Sequence, residues 1–204
     1  MIAAMIMLIL GLVLFLGIHS VRIVADRRRT DFIAARGPGA WKGLVSMISV
    51  VGVVLICYGF GQARQQPDIL WSPPRWTHDL AALLTLIAFI LLTAAFVPAN
   101  GIKARVKDPM ILGVKCWAAG HLLANGTLAD VVLFGSFLAW AVLDFRAARQ
   151  RRRAGTEPAI APAKRGRSAI VVVVGVLAWM LFALHLHQPL IGVAPFPGFH
   201  GIGH

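Results

Sequence analysis

Residues 113–144 read GVKCWAAGHLLANGTLADVVLFGSFLAWAVLD, and this stretch decides the fold. Two apolar segments flank Asn125-Gly126, a dipeptide that favours a tight turn. The first segment carries one histidine, His121. An ionisable side chain inside an apolar span is costly, so it is kept for a partner or a function. The stretch predicts a helical hairpin in a membrane, with His121 as its chemically distinctive residue.

Composition extends the same reading outward. Hydrophobic residues make up 58% of the 204 and charged residues 14%, whereas soluble chains carry about a quarter charged residues. The mean hydropathy is +0.77. These values predict an all-α, polytopic integral membrane protein lying in a lipid bilayer. Six apolar runs, at 2–24, 43–60, 80–97, 110–125, 128–145 and 169–187, predict six transmembrane helices in one bundle. On this reading 1–187 is the transmembrane domain and 188–204 a Pro/Gly-rich external tail. The run at 110–125 is short for ~30 Å of hydrocarbon and needs tilt or support from its neighbours.

The formal charge of +12 does not point to nucleic acid, because the basic residues sit between apolar runs rather than on one soluble face. Of the 20 Lys and Arg, all but Arg64 and Arg75 fall on one side if the runs alternate across the membrane. That is the asymmetry of cytoplasmic loops, and it puts both termini on the non-cytoplasmic side. The first run has no basic segment before it and no cleavage pattern, so it reads as a retained helix. Cys57 and Cys116 lie in separate apolar runs, which excludes a disulfide framework or thiolate cage.

Between the runs, Gly37-Pro38-Gly39 should break the chain, and 62–79 reads as an external loop resting at the interface. Pro98, Asn100 and Gly101 should end the third span, and the basic segment 146–168 reads as a mobile cytoplasmic linker. Gly11, Gly17, Gly52 and Gly59, with Ala118, Ala119 and Gly120, offer faces for close helix packing or room for a flat ligand. Thr127-x-x-Asp130 has the pattern of a capping box opening the fifth span.

His19 and His121 are the histidines deep within spans. Each either hydrogen-bonds a neighbouring backbone or hydroxyl group, or serves as a ligand; the residues leave both readings open. Two on separate helices suit a shared metal, and an axial imidazole pair suits haem iron in a helical bundle. Measured by helical rise from the basic side, His19 lies ~12 Å deep and His121 ~20 Å, so a shared ligand requires tilt. His185 is the rival partner for His121. His78 and His187 read as solvated interfacial residues, and His200 and His204 as tail residues without a specific task. Arg22, three residues after His19, either snorkels to the interface or pairs with a haem propionate. Trp117, one turn before His121, packs between helices or against a cofactor. There is no phosphate-binding glycine loop, no HExxH, and no serine or cysteine nucleophile beside a base, so catalysis is left open.

Several segments together resemble one family. GLVLFLGIHSVRIVA, WKGLVSMISVVGVVLICYGFGQAR, LWSPPRWTHDLAALL, DPMILGVKCWAAGHLLANGTLADVVLFGSFLAWAVLD and HQPLIGVAP look like the NnrU family of bacterial membrane proteins, over nearly the whole chain. That family is named for an association with nitrite and nitric oxide reduction, and it is similar to plant and cyanobacterial 15-cis-zeta-carotene isomerase. The isomerase binds haem b, and its axial histidines match His19 and His121; Pro109, Gly113 and Trp117 also fit its motif. The resemblance implies haem b ligated by His19 and His121, residence in the bacterial inner membrane, and redox chemistry or isomerisation of a lipophilic substrate. Asp108 stands where both families commonly have histidine, and Ala118 where the isomerase has a cysteine implicated in ligand switching. Such switching is therefore not expected here. The contrasting reading is a transporter or an assembly factor for respiratory or denitrification complexes. Few charged residues line the spans to form a transport path, and no pattern dictates an oligomeric state.

Overall fold

The computed structural model describes residues 2–196, so the expectations for His200 and His204 lie outside the described residues. The elements, in order, are α1 (Ile2–Val24), α2 (Asp26–Ala63), α3 (Trp76–Phe96), α4 (Gly101–Val106), α5 (Pro109–Ala124), α6 (Leu128–Arg153), α7 (Arg167–Leu181), a π-helical turn (Phe182–Leu186) and α8 (His187–Ile191). Among the described residues the only β pairing is an isolated bridge, Ile69 with Thr127. The all-α expectation holds. Five helical segments are long and apolar enough to cross a membrane; the sixth apolar helix, α5, has 16 residues. At 1.5 Å per residue such a helix spans about 24 Å, short of the hydrocarbon core. Length therefore supports five crossings, and the expected sixth is not established.

The chain forms two compact units. The first comprises the chain through Ser72 together with Asn125–Gln150. Here α1 and α2 pack against each other through glycine. A Cβ on Gly11 would lie 2.7 Å from the Gly52 carbonyl oxygen and the Ile56 nitrogen, and one on Gly59 would collide with the Leu8 backbone. In lipid, where apolar surface gives little drive for association, such close backbone approach replaces it. Gly17 meets nothing within 4 Å, so of Gly11, Gly17, Gly52 and Gly59 only three form the packing face. From α6, Phe137 and Phe134 pack on Phe15 and Phe60 respectively.

The expected break at Gly37-Pro38-Gly39 is a kink instead. Gly37 adopts φ 82°, ψ 160°, and helix resumes immediately, so α2 reaches back to Asp26. Pro38 opens the second segment, where its missing N–H costs nothing. The capping box forms as expected, whereas Asn125-Gly126 is a short non-helical link after α5 rather than the tight turn expected. Thr127 Oγ1 donates to Asp130 Oδ2 at 2.6 Å, Thr127 N donates to the same oxygen at 3.1 Å, and Asp130 N donates to Thr127 Oγ1 at 3.2 Å. The Pro-rich loop is tied to this link: Leu70 N and Trp71 N donate to the Gly126 carbonyl, and Leu128 N donates to that of Asp68.

The second unit comprises Pro73–Ala124 and the described residues from Arg151 onward. Both α5 and α7 pack on α3. Gly113 and Gly120 of α5 bring it against Ala88 and Ala81 of α3, and Gly175 of α7 sits on Ile90. The α3–α4 corner is built around Asn100, which is fully buried. Its Nδ2 donates to the Ala94 and Val97 carbonyls, and its Oδ1 accepts from Lys103 N.

The segment 146–168 differs from the mobile linker expected. Its first part continues α6 to Arg153, since Arg, Ala and Gln are strong helix formers. The remainder is strapped to the α3–α4 corner. Lys164 N donates to the Ala99 carbonyl, Arg167 Nη1 to that of Pro98, and Gly101 N to Ser168 Oγ. The tail expected from residue 188 begins later, because α8 runs to Ile191.

Candidate functional site

His19 sits late in α1, half-buried. Its Nδ1 donates to the Phe15 carbonyl oxygen at 2.7 Å. Phe15 also stacks on the imidazole, with centroids 4.4 Å apart and planes at 30°. In the second unit His121, late in α5, repeats the arrangement. Its Nδ1 donates to the Trp117 carbonyl at 2.9 Å, and the Trp117 ring lies 5.3 Å away at 51°. In both cases the residue four positions earlier supplies a carbonyl acceptor and an aromatic wall.

The chemistry of this arrangement is specific. A carbonyl oxygen only accepts, so the proton of the neutral ring must be on Nδ1. The lone pair then resides on Nε2, the nitrogen a metal would use. Metal-ligating histidines typically fix their tautomer by this kind of second-nitrogen hydrogen bond, which also raises basicity and sets ring orientation.

The surroundings of His19 add a further feature. Trp140 of α6 lies edge-on to the ring, 6.2 Å between centroids and 87° between planes. Its buried Nε1–H has no acceptor among the described residues. An orphaned buried donor is rare and calls for an explanation. A polar ligand beside His19 would supply one, so the residues present fit a group bound at this imidazole. Arg22, in the last turn of α1, is exposed.

The rival residue, His185, occupies the π-helical turn after α7 and is exposed. It lies on the helix that packs against α3, not on the His121 helix. His187 resembles the two central histidines only in that its Nδ1 donates to a carbonyl, that of Val193; the bond is exposed and local. His78 is exposed, as expected for an interfacial residue. Among the described residues no three His, Cys, Asp or Glu side chains gather as a metal cluster.

Sequence reasoning found both histidines but missed Trp140. Its signal is only a tryptophan in an apolar span, which the sequence cannot distinguish from packing. The NnrU protein family model matches residues 7–195. The chain belongs to the NnrU family. The match takes in α1 with His19 and α5 with His121. No match was found among curated proteins or solved structures. NnrU membership and the run of apolar helices together make this a membrane protein.

Proposed function

We propose that this NnrU protein binds haem b, with His19 and His121 as iron ligands and Arg22 as the cation for a propionate. The observation that carries the reading is the shared Nδ1–carbonyl anchor, which gives both histidines the tautomer a metal needs. The buried Trp140 N–H beside His19 supports it. Haem bound by two imidazoles in a low-dielectric setting supplies a redox-active iron whose potential is tuned by its ligands and surroundings. The chain's own residues orient the ligands, exclude water and neutralise propionate charge.

The setting we infer is the bacterial inner membrane, with the short α5 crossing as a sixth span and both termini therefore on the non-cytoplasmic face. The activity is redox chemistry, linked to nitrite or nitric oxide metabolism or to carotenoid-type isomerisation of a lipophilic substrate.

Oxidised and reduced absorption spectra of the purified protein test the reading. A Soret band is expected, with the bound haem lost in His19→Ala and in His121→Ala and kept in His185→Ala. A wild-type protein without a Soret band, yielding no haem on mild extraction, overturns it. Haem retained by His121→Ala while a co-purifying oxidase or reductase is lost would instead favour an assembly role.

A further inference from the structure

The first segment of α2, ahead of the Gly37 kink, carries residues that the haem reading does not use. Arg28, Phe32 and Arg36 recur at four-residue spacing, with Arg29 on the same side. The Arg36 guanidinium lies over the Phe32 ring, 5.8 Å from its centroid. Phe32 in turn meets Trp41 edge-to-face at 5.8 Å, across the kink. Arg28 and Arg36 are exposed. Arg29 has a part-buried ion pair with Asp26 at 3.3 Å, of the weak kind that helices carry at this spacing.

We propose that this face is a binding site for the headgroup of an anionic phospholipid. Guanidinium groups are planar forks that match phosphate oxygens two at a time. Arg36 on the aromatic pair, with Arg28 and Arg29 on the same side one to two turns earlier, forms a surface with two complementary parts. The Phe32–Trp41 pair suits the boundary between headgroups and acyl chains, where amphipathic aromatic residues settle. The arginines suit the phosphate layer just above it, and cations there add affinity for anionic lipid. The kink at Gly37 is what gives this segment an axis different from that of the span it leads into. A lipid, rather than free phosphate, is favoured because the aromatic pair has a role only if the ligand has acyl chains.

Native mass spectrometry of the full chain in uncharged detergent tests this, with dioleoylphosphatidylglycerol or dioleoylphosphatidylcholine titrated at matched concentrations. The wild type is expected to prefer the glycerol lipid. Each of Arg28→Ala and Arg36→Ala should weaken that binding about fivefold, the scale of one cation at an anionic surface. The triple variant R28A/R29A/R36A should abolish the preference and leave phosphatidylcholine binding unchanged. Arg149→Ala, on α6, should have no effect and controls for general basicity. Equal binding of both lipids by the wild type overturns the proposal, as does a preference that survives both single substitutions. Complete displacement of the lipid by inorganic phosphate would reassign the site to the free anion and also overturn it. If the triple variant fails to fold, the single variants decide.

Discussion

Arg152, on the last turn of α6, places Nη2 2.5 Å from Oδ1 of Asp108, which immediately precedes α5. The side chains are 24% and 15% exposed, so water only partly screens the pair. Asp108 also lies at the positive end of the α5 dipole, where a carboxylate is favoured. An acid at this position therefore has a structural reason in the chain's own fold, whatever residue relatives carry there. Asp108→His or Arg152→Ala should each cost about 1–3 kcal/mol, because the remaining charge is left half-buried. Thermal unfolding followed by circular dichroism reads the loss. A double-mutant cycle with additive effects would show that the pair contributes nothing.

Lys107, one residue earlier, holds φ 72° and ψ −48°, and Asp108 N donates to the Val106 carbonyl across it. This is the rare positive-φ γ-turn, strained for any residue with a Cβ. Lys107→Gly removes the clash while adding freedom to the unfolded chain. The net expectation is stabilisation by about 0.5–1 kcal/mol, and Lys107→Val should destabilise. A lower melting temperature for the glycine variant would contradict the assignment of strain.

The glycines of α1 and α2 divide into two groups. Gly11→Ala and Gly59→Ala force a methyl into neighbouring backbone and should each cost about 2 kcal/mol or more, the scale of overpacking. Gly17→Ala and Gly61→Ala have open space and should be neutral or slightly stabilising through helix propensity. Equal effects in the two groups would show that the α1–α2 contact does not depend on close approach.

Trp140→Phe keeps the ring packing and removes the orphaned N–H. In protein freed of ligand it should stabilise by about 1–2 kcal/mol, since a buried unsatisfied donor is lost. In protein carrying haem the substitution should instead shift the Soret band or the reduction potential. No change in either state would mean that the N–H finds a partner in solution.

The sequence made the apolar helices legible, because hydropathy over some twenty residues is a strong and local signal. It also resolved the Thr127–Asp130 cap, which depends on two residues three positions apart. The start of α2 was not legible: Asp26–Arg36 is too polar to register as a span, yet arginine and alanine keep it helical. The strap formed by residues 154–168 was missed for another reason. It is held by acceptors at Pro98 and Ala99 and by the Gly101 amide, more than sixty positions away, which local composition cannot reveal. For the candidate site, His19 and His121 stood out as ionisable groups in apolar spans. Their shared anchor did not, because it depends on imidazole rotamers, although the aromatic residue four positions earlier was visible in both cases.

The ties between the Pro-rich loop and the backbone at Gly126 to Leu128 have a consequence for solvent exchange. The amides of Leu70 and Trp71 both end on the Gly126 carbonyl, and that of Leu128 on Asp68. Backbone in an irregular surface loop ordinarily trades its protons for deuterium quickly, whereas amides held in hydrogen bonds must first open. Three slow amides, those of Leu70, Trp71 and Leu128, would make this loop a built-in gauge of whether it stays docked on the start of α6, readable by deuterium uptake without touching either histidine.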